Sequence, residues 1–210
     1  MRRVREWCIG PEADDASDWR EALSRSRIPE GYWGGTPAAI KDPELRGWLE
    51  RTLESAPQWL GQGVGFYLHG PLNSGKSSIA AILAMDAVRR CERVLWLPVR
   101  DVPAVRFGEQ PQVAAALQRA DVLVLDDLGA ERFRLESAAG SALEEVARIV
   151  YDRGRSLITT SNISWEDFPG QYSDIEPFVS VLQRRILPVT IVNSQWPASP
   201  AGEGVPWAQA

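Results

Sequence analysis

Four residues of one short loop have the types and spacing that bind the phosphates of a nucleotide. Residues 64–78 read as an apolar strand, a glycine-bounded loop and the start of a helix, and Gly70, Gly75, Lys76 and Ser77 match G-x-x-x-x-G-K-[ST]. The glycines let backbone N–H groups turn inward around phosphate oxygens at the positive end of the following helix. Lysine would then reach the β- and γ-phosphates, and the serine hydroxyl would ligate Mg²⁺. The sequence therefore predicts an ATP site formed by Gly70, Pro71, Leu72, Asn73, Ser74, Gly75, Lys76, Ser77 and Ser78.

A chance match in a glycine-rich turn is the alternative, because the pattern is short. The chain contains only two lysines, Lys41 and Lys76, and one of them stands at the required position. The residues before the loop are strand-like, and those after it carry an apolar stripe at helical spacing. Composition and context therefore favour a nucleotide site.

Two adjacent carboxylates end a second apolar run about fifty residues further along the chain. Within residues 121–128 the run 122–125 is entirely aliphatic, which is typical of a strand buried on both faces, and Asp126 and Asp127 follow it. Aspartate also forms turns, so a simple strand exit is the alternative. With the phosphate loop upstream, we expect Asp126 to hold the metal through its water shell and Asp127 to polarise the attacking water as general base.

A further strand, residues 156–162, turns polar at its carboxyl end. In an open parallel sheet such ends face the ligand, so Asn162 or the hydroxyls before it could contact the γ-phosphate or its water. A turn or a helix cap is the alternative reading of this Thr-Ser-Asn exit.

The elements that position these residues alternate between strands and helices. Such alternation predicts an α/β fold, a five-stranded parallel sheet flanked by helices, without a separate helical lid domain. One helix is expected over residues 42–55, closed by the glycines at 61 and 63, and residues 101–111 are expected to form a loop. The expected strands are 66–69, 93–98, 121–128, 156–162 and 188–192, and the later helices are 112–119, 137–152 and 179–186.

The composition limits the classes of partner and compartment. The chain has 210 residues, a net charge of −5 and a pI of about 5.1, so DNA contact would need local arginine patches. No apolar run approaches membrane-spanning length, and two distant cysteines with one histidine form no zinc pattern, so we expect a cytoplasmic protein with no membrane partner. The expected DNA contacts are Arg100, Arg106, Arg132 and Arg134, with Phe107 and Phe133 for base stacking.

The order of these pieces resembles the AAA+ ATPases, and within them the DnaC/DnaI helicase-loader and IstB transposition-helper group. The resemblance covers residues 27–192 and rests on the segments 28–32, 120–131, 151–162 and 182–186. It implies that Asn162 is the sensor I polar group and that Arg184 is an arginine finger reaching the γ-phosphate of a neighbouring subunit in a homo-oligomer with ATP at its interfaces. A salt bridge or a surface position within its own chain is the alternative for Arg184.

Three features depart from the pattern of that group. Asn73 and Ser74 replace the usual Gly-Thr, a variant also found in viral Rep-type helicases. No arginine or lysine follows Arg185, so a sensor II arginine is missing, and only about thirty residues precede the motif core. We expect residues 1–30 to form an arm that is a candidate for partner binding, residues 31–193 to form the ATPase domain, and residues 194–210 to form a disordered tail.

These expectations combine into an Mg²⁺-dependent ATPase that acts as a DNA replication factor of the helicase-loader type, on DNA or on a replicative helicase. The alternatives are an IstB-like ATPase that assists a transposase, a viral Rep-type helicase motor, and a module that uses ATP only as a structural switch. The motifs do not separate a helicase partner from a transposase partner.

Overall fold

A parallel sheet with helices on both faces forms the framework of the chain. The computed structural model describes residues 16–106, 108–129, 138–172 and 175–192. The helices are α1 Ala16–Arg25, α2 Pro43–Glu54, α3 Ala56–Gln62, α4 Lys76–Arg89, α5 Val102–Arg106, α6 Pro111–Arg119, α7 Ala138–Asp152, α8 Phe168–Gln171 and α9 Glu176–Arg185. The strands are β1 Gly65–His69, β2 Val94–Pro98, β3 Val122–Leu128, β4 Ser156–Ser161 and β5 Ile186–Thr190.

The strand order is β2-β3-β4-β1-β5, and every neighbouring pair is parallel. The carboxyl ends of parallel strands meet at one edge of a sheet, so the phosphate loop after β1 and the acidic pair at the end of β3 share that edge. The expected five-stranded parallel sheet flanked by helices is confirmed. The described residues end at position 192, two residues after β5. The expected absence of a separate helical lid domain therefore stays a prediction.

Two apolar clusters pack against the two faces of the sheet. One joins the sheet to α5, α6, α7, α8 and α9, and the other joins it to α1, α2, α3 and α4. Helix α4 is buried on nearly all sides, because α1 and α2 cover the surface that faces away from the strands. The helix that begins at the phosphate loop is therefore held inside the domain. Among the described residues, no helix has both the length and the apolar character to cross a membrane.

The residues before the phosphate loop pack onto the domain from residue 16 onward. Leu23 and Ile28 are fully or almost fully buried, and the Trp96 backbone N–H of β2 donates to the Ser26 carbonyl at 2.8 Å. Residues 1–15 and 193–210 lie outside the described part. The division into an arm, an ATPase domain and a tail remains a prediction.

One sequence expectation for secondary structure is wrong, and one helix was not expected. The helix expected over residues 42–55 is α2, and a separate helix, α3, follows it, because Pro57 lacks the N–H that a continuing α2 would need. The Trp59 indole N–H of α3 donates to the Thr52 carbonyl in the last turn of α2 at 3.0 Å. The expected loop over residues 101–111 contains α5 instead, because Pro103 sits in the first turn, where a helix tolerates proline.

Candidate functional site

The loop between β1 and α4 has a backbone that few residues other than glycine could adopt. Gly70 and Gly75 have φ values of 152° and 91°, and a Cβ on Gly70 would lie 2.0 Å from the Ile191 carbonyl oxygen. Asn73, where the resembling group usually has glycine, also takes a left-handed conformation with φ 59°. Asparagine tolerates this region better than most residues, so its substitution for glycine preserves the loop conformation.

Lys76 begins α4 and turns back across the loop. Its Nζ donates to the Pro71 carbonyl at 2.7 Å and to the Gly70 carbonyl at 3.1 Å. Burial lowers the pKa of Lys76, and the negative charges of Asp127 and Asp126 act in the opposite direction. The ammonium group is therefore placed inside the loop before any ligand is bound.

Two hydroxyl groups meet at the half-buried carboxylate of Asp126. The Ser77 hydroxyl donates to its Oδ1 at 2.8 Å, and the Thr160 hydroxyl donates to the same oxygen at 2.7 Å. Burial raises the pKa of Asp126, while the two hydrogen bonds lower it. Hydroxyl and carboxylate oxygens are the ligands that Mg²⁺ prefers, so Ser77 and Asp126 fit the metal site expected from the sequence.

Asp127 has surroundings different from those of Asp126, because the β3–β4 ladder is irregular at the acidic pair. Leu125 pairs with Thr159 and Leu128 with Ser161, so β3 has one extra residue between the two pairs. Asp127 takes up the bulge with φ 68°, and its side chain is exposed at the carboxyl edge of the sheet. The bulge gives the two neighbouring aspartates different surroundings. The metal-holding and general-base roles expected for them stay predictions.

Thr160 joins the two aspartates and was not singled out by the sequence. Besides its bond to Asp126, its Oγ1 accepts from the Asp127 backbone N–H at 2.8 Å. The sequence indicated only that hydroxyls before Asn162 could reach the site. Choosing among them requires the register of β4 against β3, which no local pattern encodes.

Tyr32 is a second residue near this cluster that the sequence did not place there. It ends a 3₁₀ turn, Glu30–Tyr32, and its ring packs 5.8 Å from the ring of Trp96. Burial raises the pKa of Tyr32, as does the charge of Asp126, whereas the nearby Ser77 hydroxyl lowers it. The only signal in the sequence is the segment 28–32, which supported the resemblance but suggested no role.

Asn162 follows β4 and is exposed at the same edge. The adjacent Ser161 turns inward, where its hydroxyl donates to the Leu128 carbonyl at 2.6 Å. Within the described residues, the Asn162 side chain forms no hydrogen bond. Its place at the edge agrees with the expectation, but its role as a sensor stays a prediction.

Arg184 lies at the opposite edge of the sheet from the phosphate loop. It is exposed at the end of α9, directly before β5, whose first residue Ile186 pairs with Gly65 at the start of β1. Five residues of β1 separate this edge from the loop, a distance of about 13 Å at about 3.3 Å per residue. The structure therefore does not bring Arg184 to the phosphate loop of its own chain.

The arginines expected to contact DNA are only partly described. Arg100 is 81% exposed, and its Nε lies 3.8 Å from a carboxylate oxygen of Asp101. The side chain of Arg106 lies outside the described part, as do Phe107, Arg132, Phe133 and Arg134. A DNA contact at these positions stays a prediction.

Comparison with known proteins assigns the chain to a family. The family model described as IstB-like ATP binding protein matches residues 51–194, which is more than half of the chain. This chain belongs to the IstB-like ATP binding protein family. The matched segment includes the phosphate loop, the acidic pair and the strand that precedes Asn162, and the resemblance inferred from the sequence is confirmed.

A curated relative of this IstB-like protein is associated with a mobile element by name. It is the putative insertion sequence ATP-binding protein y4iQ/y4nD/y4sD of Sinorhizobium fredii, 27% identical over 174 residues. The match covers 80% of this chain and 57% of the relative. The chain thus spans just over half the length of that protein.

Solved structures share the fold of the IstB-like chain. The crystal structure of the DnaC helicase loader superposes with a TM-score of 0.65 and 18% identity, covering 78% of this chain and 99% of that one. AMPPCP-bound DnaA from Aquifex aeolicus superposes with a TM-score of 0.52 and 18% identity, covering 70% and 45% of the two chains. At these identities the likeness supports the AAA+ fold alone.

Proposed function

We propose that this protein is an Mg²⁺-dependent ATPase that acts as an oligomer on DNA in the cytoplasm. The observation that carries the proposal is the contact between the Ser77 hydroxyl and the Asp126 carboxylate, 2.8 Å apart at the first turn of α4. This contact supports a Mg²⁺ site beside the phosphate loop. The family adds support, since its description includes ATP binding.

Each residue of the site has a distinct part in this proposal. Lys76 exchanges its bonds to the two loop carbonyls for the β- and γ-phosphates, and the loop N–H groups hold the remaining phosphate oxygens. Asp126 and Ser77 would hold Mg²⁺, which when bound neutralises phosphate charge. Asp127, exposed at the edge, accepts a proton from the attacking water, and Asn162 orients that water.

Hydrolysis requires a second positive charge at the γ-phosphate, and we assign it to Arg184 of a neighbouring subunit. Arg184 cannot reach its own phosphate loop, because the sheet separates the two. Arg185 differs, since its guanidinium lies 5.0 Å from the centre of the Tyr151 ring. An exposed arginine next to an anchored one supports a contact made between subunits, with ATP at the junction.

Asp127→Asn is the substitution that tests the hydrolysis step. We expect it to leave ATP affinity within about twofold and to lower kcat by at least about 100-fold, because the amide keeps the shape but cannot accept the proton. Equilibrium binding and steady-state phosphate release measure the two quantities. Hydrolysis at the wild-type rate would remove Asp127 as the base, and Asp126 or Glu131 would become the candidate.

Thr160→Val tests whether the hydroxyl between the two aspartates positions them. We expect kcat to fall by about 10- to 100-fold, since general base catalysis depends on placement within hydrogen-bond reach. Thr159→Val is the matched control, because Thr159 is equally buried but its hydroxyl faces the Phe66 carbonyl at 3.4 Å. Equal losses in both variants would show that Thr160 has no special part.

The protein partner is proposed from two sources that suggest different classes. The fold of helicase loaders supports a replicative helicase, and the insertion-sequence relative supports a transposase. Co-purification of the wild-type chain from its host, with ATP and Mg²⁺ present, followed by identification of the bound protein, separates them. Recovery of a transposase would favour the transposition helper over the helicase loader.

A further inference from the structure

A cleft lies at the amino-terminal edge of the sheet, opposite the ATP site. Its volume is about 500 Å³, and it is lined by three arginines, two carboxylates, two glycines and only two apolar side chains. Its residues lie just before four successive strands in space, with Gly61 before β1, Arg155 before β4, Asp121 before β3 and Glu92 before β2. The cleft is thus a polar groove running across most of that edge.

Two of the charges in the cleft are neutralised by residues outside its lining. Arg90 Nε bonds to a carboxylate oxygen of Asp86 at 2.6 Å. Asp121 is held by Arg93, whose Nε and terminal nitrogen reach its two oxygens at 2.9 and 2.7 Å. These ion pairs fix the walls of the cleft but leave little charge for a ligand.

Arg153 and Arg155 use neutral acceptors instead. Arg153 donates to the carbonyl and to the side-chain oxygen of Gln118, and Arg155 donates to the carbonyls of Leu117 and Gln118 at 3.0 and 2.7 Å. In the part of the chain that is described, neither forms an ion pair with a carboxylate. Burial and the charges of Arg153 and Arg93 lower the pKa of Arg155, whereas the nearby Asp121 carboxylate raises it.

We propose that this cleft binds the sugar–phosphate backbone of duplex DNA. The arginine fork matches phosphate oxygens, and the two fixed guanidinium groups offer positive charge on a chain whose net charge is −5. Among the described residues, the lining has no aromatic ring on which an unpaired base could stack. This favours a duplex, whose phosphates face outward, over a single strand. The inference rests on the DNA-binding part of the proposed function.

The position of the cleft has a consequence for the ATP cycle. The two sites are at opposite edges of the sheet, so DNA and ATP can be bound at the same time.

A contact made through backbone phosphates alone is independent of DNA sequence and strongly dependent on salt. Each phosphate neutralised contributes about −0.9 to the slope of log K against log salt concentration.

The test compares two doubly substituted full-length chains with the same change in net charge. Binding of a fluorescent 30-base-pair duplex is measured by anisotropy across a salt series, with and without ATP. Arg153→Gln with Arg155→Gln should reduce the magnitude of the salt slope by about two and weaken binding at low salt by at least about tenfold. Arg46→Gln with Arg51→Gln, both on α2 and outside the cleft, should leave the slope unchanged.

Further variants separate charge from folding. Arg153→Lys with Arg155→Lys keeps both charges and should keep the slope. If the double glutamine variant melts early, Arg153→Gln alone, at an exposed side chain, should still reduce the slope by about one. An unchanged slope in all cleft variants overturns the proposal.

Three further results of the binding test would count against the cleft as a DNA site. DNA binding lost through Arg46→Gln with Arg51→Gln would place the contact on α2 and overturn the cleft. An altered oligomer size with an unchanged slope would make the cleft a contact between copies of the chain. Absence of any duplex binding by the wild type would overturn both the cleft and the DNA part of the proposed function, whereas ATP hydrolysis would be untouched.

Discussion

Lys76→Ala is expected to abolish measurable ATP binding. The ammonium group lies within the loop, bonded to two carbonyls that it can exchange for phosphate oxygens. Hydrogen bonds to a charged group contribute about 1.5–3 kcal/mol each, so losing two should weaken binding by about 100-fold or more. Among the described residues, it is also the cation whose charge lowers the pKa of Asp126.

The matched control is Lys41→Ala, which removes the only other lysine of the chain. Lys41 is exposed before α2, far from the loop in sequence, and its loss should change ATP affinity by less than twofold. Isothermal titration with ATP and Mg²⁺, after thermal melts confirm that both variants are folded, provides the comparison. Unaltered affinity in Lys76→Ala would remove the basis for an ATP site at this loop.

The sequence predicts the sheet and the phosphate site because both depend on local signals. The apolar runs of β1, β2 and β3 are long enough to be read directly, and the glycines at 70 and 75 occupy positions where the backbone requires them. The helix expected over residues 42–55 corresponds to α2, whereas α3 was missed, although Pro57 in its first turn is a helix-start signal.

Tertiary pairing explains what the sequence could not predict. Thr160 is distinguished from Thr159 only by the face of β4 that meets Asp126, and Tyr32 reaches the site from a turn 45 residues before Ser77. The arginine-lined cleft is assembled from residues that precede four different strands. The order of the strands in the sheet brings these residues together, and the spacing of residues along the chain does not reveal that order.

Arg184→Ala should lower kcat by at least about 100-fold while leaving ATP affinity nearly unchanged, because an arginine supplied by a neighbour acts on the transition state. The exposed guanidinium at the end of α9 has no side-chain partner in the described residues. Arg185→Ala is the matched control, since that guanidinium packs over Tyr151, and we expect its kcat to stay within about threefold of wild type. Equal losses in the two variants would point to a structural role for both.

Mixing two inactive variants tests the shared site most directly. Arg184→Ala subunits keep the phosphate loop, and Lys76→Ala subunits keep the arginine, so a junction between them contains one complete site. We predict that phosphate release, near zero for each variant alone, reappears on mixing and is greatest near equal amounts. If mixing restores no activity while size measurements show mixed oligomers, or if Arg184→Ala alone hydrolyses ATP like wild type, the site is not shared between subunits through Arg184.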